Sequence, residues 1–373
     1  MASVSAPAPV SPAAPAADDS ATPARLASLD AFRGLTMILL VSHGFGMHEA
    51  LSGNPSLAWL GDQFEHAAWV GCTLWDLIQP AFTFIVGVAM PFAFAARQAR
   101  GATRGAIFGH VLWRAFALIA LSNILSNWGS TAPLKFQLIN VLCQIALGYL
   151  LCFGLWLLPD RAQIAAAAGL FALHHALFYL FPGPAGPFDP TGNIGIRLDL
   201  TLLGYNYSGL YTTLNFLGNA LTILAGMWTG LFLRREVTHA RRLRTLLLSA
   251  VLCCAAGLAL APFIPMVKRL WLGSFTFFSL GWVLLGLAAC YWMVEVRGWR
   301  RWTAPALVAG ANSIFIYSFS QVLRGWLSRG LAAFTGNFAV LGPYGAIPHN
   351  LAVLGVMIGL CYWLHQRKIY FKL

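Results

Sequence analysis

Stretch after stretch of this chain runs for roughly twenty residues with scarcely a charge, and that pattern leaves one kind of fold open. INVLCQIALGYLLCFGLWLLP (139–159) and LLLSAVLCCAAGLALAPF (246–263) are examples. In hydrocarbon every backbone N–H and C=O must be paired within the protein, and a helix does this alone. We place helices at about 32–49, 73–96, 106–127, 138–158, 163–181, 211–233, 245–264, 274–296, 304–327 and 348–366. The expected fold is therefore all-α, a polytopic integral membrane protein of about ten transmembrane helices. Composition agrees: 58% of residues are hydrophobic and 10% charged, where soluble domains hold about 25% charged residues. No water-soluble core hides that much apolar surface.

The net charge of +12 does not point to nucleic acid, because Lys and Arg fall in short clusters between apolar runs rather than along one face. They read as topology signals. With ten spans, sixteen of the 24 Lys and Arg lie in the terminal segments and the loops on their side, among them Arg25, Arg97, Arg104, Arg161, Arg234, Arg244, Arg301 and Lys372. Only Lys135, Arg197, Lys268, Arg269 and Arg329 lie in the opposite loops. Both termini are thus expected in the cytoplasm.

Residues 1–24 are rich in Ala, Pro and Ser, with neither a basic start nor an apolar core, and are expected to form a disordered tail rather than a signal peptide. Residues 25–373 then make one transmembrane domain. Two longer non-cytoplasmic segments, 50–72 and 182–210, the latter ending near Asn206, Tyr207 and Tyr211, are placed to roof a site on the outer face.

Chemistry is sparse and therefore informative. FEHAAWVGCTLWDLIQPAFTFIVGVAMPF (64–92) sets His66 just outside a helix that carries Asp76 near its start. Imidazole is the side chain suited to proton movement near neutral pH, and an ionisable group inside a span usually faces the protein interior. The plainer readings are an interfacial anchor for His66, beside Trp59, Trp69 and Trp75, and a helix cap for Asp76. Asp30 and Arg33 are spaced to pair across one turn. His110, Arg114 and Arg324 are further charges at membrane depth that suit a phosphate or a carboxylate. Asn312 lies in an apolar helix, where its amide must be glue between helices or a substrate contact. Lys268 and Arg269, with Trp271, form a cationic turn against the positive-inside trend, which suggests an anionic partner.

Other chemistries find no support. The seven cysteines include no C-x-x-C pair, and His43, His48, His174 and His175 lack metal-ligand spacing, so neither disulfide nor metal is expected. Neither a Walker or dinucleotide glycine loop nor a G-x-S-x-G elbow is present. A clear internal repeat of the transporter type is also missing.

Four blocks carry a resemblance: LASLDAFRGLTMILL (26–40), HAAWVGCTLWDLIQPAFTFIVGVAMP (66–91), KRLWLGSFTFFSLGWVLLGLAACYW (268–292), and AGANSIFIY (309–317) with the closing RKIYFKL. In that order they resemble the heparan-α-glucosaminide N-acetyltransferase family and its bacterial relatives among transmembrane acyltransferases. The resemblance implies transfer of an acetyl group from cytosolic acetyl-CoA to an amino sugar or envelope glycan on the far side of a bacterial inner (plasma) membrane. It makes His66, in the family's H-x-x-W motif, the catalytic histidine, with Asp76 orienting or charge-balancing the site. Trp69, Lys268, Asn312, Arg33, Arg114 and Gln144 become candidates for substrate or acyl-CoA binding. Implied partners are acyl-CoA, the glycan acceptor, membrane lipid and a second copy of the chain as a homodimer.

Departures from the family are visible too. No clear Asn matches the family's polar residue around Ser42, His43 and Gly44, and Cys143–Gln144 stands where relatives carry Gln-Arg. Animal members carry a luminal domain ahead of this core, so an acceptor other than heparan sulfate is expected. The rival readings are a transporter or flippase for a lipid-linked sugar, and a non-catalytic partner in polysaccharide assembly.

Overall fold

The structure, a computed structural model, describes residues 26–206 and 211–371. The 1–24 tail, Arg25, Tyr207 and Lys372 lie outside the described residues. Among the described residues every element of two or more turns is helical.

The first helix, α1 (Ala27–Val41), stops early. Behind Ser42 the backbone turns left-handed at His43, Gly44, Phe45 and Gly46, with φ of 54°, 64°, 54° and 71°, a conformation that ends any helix. Two short helices follow, α2 (Met47–Leu51) and α3 (Ala58–Asp62). The central bundle is then built from α4 (Ile78–Ala99), α5 (Arg104–Ser126), α6 (Val141–Trp156) and α7 (Asp160–Leu180). An outlying α8 (Ile194–Leu203) precedes α9 (Asn215–Leu233), α10 (His239–Leu260) and α11 (Gly273–Tyr291). The chain closes with α12 (Ala304–Ala311), α13 (Ser313–Val322), α14 (Arg324–Thr335) and α15 (Ala346–Gln366).

Seven helical segments are long and apolar enough to cross a membrane: Trp75–Ala99, Arg104–Ser126, Asp160–Leu180, Asn215–Leu233, His239–Leu260, Gly273–Val296 and Arg324–Gln366. The other three expected spans differ from the uniform helices read from sequence. The 15 residues of α1 and the 16 of α6 rise only about 22–24 Å, against a hydrocarbon core of about 30 Å. The stretch expected as one helix at 304–327 is broken at Asn312, whose ψ of 41° leaves the helical well. Such breaks persist where protein rather than lipid surrounds the freed backbone, and Asn312 is fully buried.

Exposure divides the helices as a bilayer requires. Trp113 and Phe116 of α5 and Leu252 of α10 are more than 60% exposed, the reverse of a soluble protein. The interior is held by α4 against α9, α10 against α11, and α1 against α12. Phe84, Ile85 and Val88 of α4 pack with Leu246, Ala250 and Leu284. Small residues let the α4 and α9 backbones nearly touch: a Cβ on Gly87 would lie 1.9 Å from the Ile223 carbonyl oxygen, the close approach that small residues permit in membranes. Gly87→Leu is therefore expected to destabilise the fold by about 1–3 kcal/mol or more. A lowered thermal midpoint in detergent checks this, with Gly109→Leu, where a Cβ meets nothing within 4 Å, as the silent control.

Two ends of the bundle follow from this connectivity. The end of α1 packs on the segment before α4, since Gly44 abuts Phe64. That end therefore carries His66, and the opposite end carries the start of α1 and the end of α15.

Candidate active site

Loop 63–75 is folded back on itself before α4 begins. Trp75 N–H donates to the Gln63 carbonyl (3.0 Å) and the Thr73 hydroxyl to the Glu65 carbonyl (2.7 Å). Gly71 N–H donates to the Met266 carbonyl (2.8 Å), so the loop leans on the turn that contains Lys268. This brings together three side chains that the sequence keeps far apart.

Asp76 is the hub and is 1% exposed. Its Oδ2 accepts from Ala67 N–H (3.2 Å) and Thr73 N–H (3.1 Å), with the Thr73 hydroxyl also 3.1 Å away. Its Oδ1 lies 2.8 Å from His66 Nδ1 and 3.2 Å from Lys268 Nζ. Lys268, on the far side of the sequence and 5% exposed, also sits 3.0 Å from His66 Nδ1. The anionic partner that its position suggests is thus a carboxylate of the protein itself. Burying such a pair is tolerable because each charge offsets the other and remaining lone pairs are hydrogen-bonded.

The triangle selects a tautomer. Were Nδ1 to accept from Lys268, its lone pair would face the Asp76 carboxylate oxygen at 2.8 Å without a proton between them. With Nδ1–H and Lys268 both donating to the Asp76 oxygen, the two donors stand 3.0 Å apart but each meets an acceptor. Nε2 then carries the lone pair. Among the described residues Nε2 makes no hydrogen bond, and the His66 side chain is 38% exposed. A ring nitrogen free to accept, with a carboxylate behind the other, is the geometry that a base or nucleophile requires. The neighbouring Cys72 does not compete: burial, then the Asp76 charge, push its thiol up to about 12, and a protonated thiol is a poor nucleophile.

The Lys268 turn is itself held by His175, Asn215, Trp271 and Thr222, a supporting role that sequence reasoning gave to none of them. His175 Nδ1–H donates to the Phe171 carbonyl (2.7 Å), which leaves Nε2 to accept from Gly273 N–H (2.9 Å). Asn215 Nδ2 donates to the Arg269 carbonyl (2.8 Å), and Trp271 Nε1 to Thr222 Oγ1 (3.2 Å). Trp271 is in the left-handed region (φ 52°) and 1% exposed. The only sequence signal was a bulky KRLWLG turn.

The other expected site residues do not join this cluster. Trp69 is half-buried against the apolar cluster that contains Phe178, Leu214 and Leu270. Gln144 is buried and donates to the Leu138 carbonyl (3.1 Å), which ties α6 to its own entry. Arg33 pairs with Asp30 (2.9 Å), and the Arg114 guanidinium lies 5.1 Å from the Tyr149 ring centre. Both arginines line a cavity of about 640 Å³ at the opposite end, which runs inward past Ala89 and Val86 to Phe82 and Leu142. Asn312 borders that cavity as a clamp: its Nδ2 donates to the Ile369 carbonyl (3.2 Å) and its Oδ1 accepts from Phe371 N–H (3.1 Å). Tyr370 and Phe371 form part of the cavity mouth. Among the described residues no three His, Cys, Asp or Glu side chains are grouped to hold a metal.

No family model matches the chain. Two curated relatives do. The heparan-alpha-glucosaminide N-acetyltransferase of Homo sapiens is 26% identical over 434 residues, covering 95% of this chain and 61% of that protein. Its Mus musculus counterpart is 24% identical over 419 residues, covering 94% and 60%. The chain thus spans about three fifths of the length of the curated relatives it matches.

Proposed function

We propose that this chain, a relative of the heparan-alpha-glucosaminide N-acetyltransferases, is a membrane-embedded acyltransferase that passes an acetyl group from acetyl-CoA to the amine of a sugar or envelope glycan. The observation that carries this reading is the buried Asp76–Lys268 pair holding His66 with an unused ring nitrogen.

In direct transfer the amine nitrogen attacks the thioester carbonyl, the C–S bond breaks, and CoA leaves as thiolate. The amine proton passes to His66 Nε2 and from there to the thiolate or to water. In the two-step form Nε2 attacks the thioester carbonyl first, the C–S bond breaks and CoA leaves as thiolate; the amine then attacks the acyl-imidazole, the C–Nε2 bond breaks, and the amine proton passes to Nε2 or to water. Asp76 serves both routes by fixing Nδ1–H and stabilising positive charge on the ring. Lys268 keeps the carboxylate compensated.

The donor fits the cavity at the opposite end, where Arg33 and Arg114 attract the phosphates of CoA and the apolar stretch to Phe82 takes the pantetheine arm. Ten crossings with both termini in the cytoplasm put that cavity on the cytosolic side and His66 on the periplasmic face of a bacterial inner membrane. Residues 25–373 act as one domain in this reading.

The test is to incubate purified protein in detergent with radiolabelled acetyl-CoA and a panel of amino sugars. Label is expected on a sugar amine. Label retained on acid-quenched protein without acceptor would mark the two-step route. Failure to bind acetyl-CoA would overturn the enzyme reading altogether.

A further inference from the structure

A second cavity, about 370 Å³, lies toward the His66 end and is lined by Gln79, Ser126, Gln137, Asn140, Tyr211 and Gln321 among its polar residues. Its remaining lining is Leu125, Ile139 and Val141, so no charged side chain faces it.

These amides are unsatisfied by the protein. Among the described residues, the side chains of Gln79, Ser126, Gln137, Gln321 and Tyr211 make no hydrogen bond to another protein group, although Gln137 is only 9% exposed. Asn140 is half committed: its Oδ1 accepts from Leu142 N–H (3.1 Å) and from the Tyr317 hydroxyl (3.4 Å), which leaves its Nδ2. Buried polar groups normally find partners, because leaving one bare is costly. Gln137, nine-tenths buried with its side chain unbonded, is therefore kept for something that fills the hollow, and the half-buried Gln79, Asn140 and Tyr211 with the exposed Ser126 and Gln321 complete its polar lining.

The chemistry of the filler follows from the lining. A primary amide offers two donors and an acceptor together, the complement of vicinal hydroxyls, each of which donates and accepts. An anionic ligand would need a counter-charge, and none is present. The volume lies at the small end of ligand pockets, about 300–1,000 Å³.

The position is equally specific. Gln79 follows Asp76 by three residues, about 5 Å along the helix, and Phe82, at the inner limit of the donor cavity, follows by three more. Val141 of the amide cavity adjoins Leu142 of the donor cavity on α6. Along α4 the order is therefore catalytic cluster, amide cavity, donor cavity.

We propose that the amide-lined cavity is the acceptor subsite and that it selects an uncharged, polyhydroxylated sugar ring over a sulfated, phosphorylated or carboxylated one. This rests on the acyltransferase reading for its role but not for its ligand.

The test pairs sugar binding with transfer kinetics on the full chain in detergent. Glucosamine and N-acetylglucosamine are expected to raise the thermal midpoint, and glucosamine 6-sulfate to do so only at higher concentration. Gln79→Leu and Gln137→Leu are each expected to raise the acceptor KM about tenfold while the acetyl-CoA Kd stays unchanged. Gln321→Leu, at an exposed position, supplies the same test where the buried variant fails to fold. Wild-type acceptor KM and stabilisation in these variants would overturn the subsite. Sugar stabilisation that depends on Gln79 without any transfer would keep the subsite and sink the acyltransferase reading, and transfer indifferent to Gln79 would do the reverse.

Discussion

His66→Ala is expected to lower acetyl transfer by about a thousandfold or more, the middle to upper part of what a positioned general base or nucleophile supplies, and to leave acetyl-CoA binding in place. Binding should survive because the donor cavity ends at Phe82 and Leu142 and does not include His66. Stability should survive as well. The imidazole is 38% exposed, so truncating it opens no closed void, and Asp76 keeps Lys268 and the Ala67 and Thr73 amides. His66→Gln is the sharper variant, since its amide still donates toward Asp76 but supplies no basic nitrogen. Radiolabel transfer and equilibrium binding of acetyl-CoA, measured on one preparation, separate the two effects. Transfer at the wild-type rate in either variant would remove His66 from the chemistry and leave a substrate path without a covalent step as the better reading.

The helical, membrane-spanning character was legible because apolar runs of span length permit little else. Interruptions were not legible. His43 and Phe45 take left-handed backbone that only packing against Phe64 and α15 explains, and Asn312 breaks its helix to hold Ile369 and Phe371, a partner 57 residues away. The same distance effect governs the site. His66 and Asp76 are ten residues apart, in a loop and the helical turn that follows it, so a contact could be considered. Lys268 is 202 residues from His66, and the sequence offered it as a charge on the wrong side and a substrate-binding candidate, not as the partner of Asp76. Of the amide cavity only Tyr211, near the segment expected to roof a site, was in view: its glutamines resemble ordinary interfacial residues, and only their convergence gives them meaning.

The Asp76–Lys268 pair offers a way to separate holding the fold from running the reaction. Lys268→Met leaves a carboxylate 1% exposed without its counter-charge, and Asp76→Asn leaves an ammonium 5% exposed in the same state. Each single change is expected to destabilise the protein by about 3–5 kcal/mol, the cost of breaking rather than replacing a buried pair. The double variant Asp76→Asn/Lys268→Met buries no net charge and should recover most of that loss, giving a large coupling energy in the cycle. Activity should not recover with it. An Asn side chain accepts from Nδ1–H or donates to Nδ1 with equal ease, so the ring is no longer held with its lone pair on Nε2, and transfer should stay about a hundredfold or more below wild type. Thermal unfolding read beside transfer rate decides the matter. If rate returns together with stability in the double variant, the pair is scaffolding and the charge triangle does not set the reactive nitrogen.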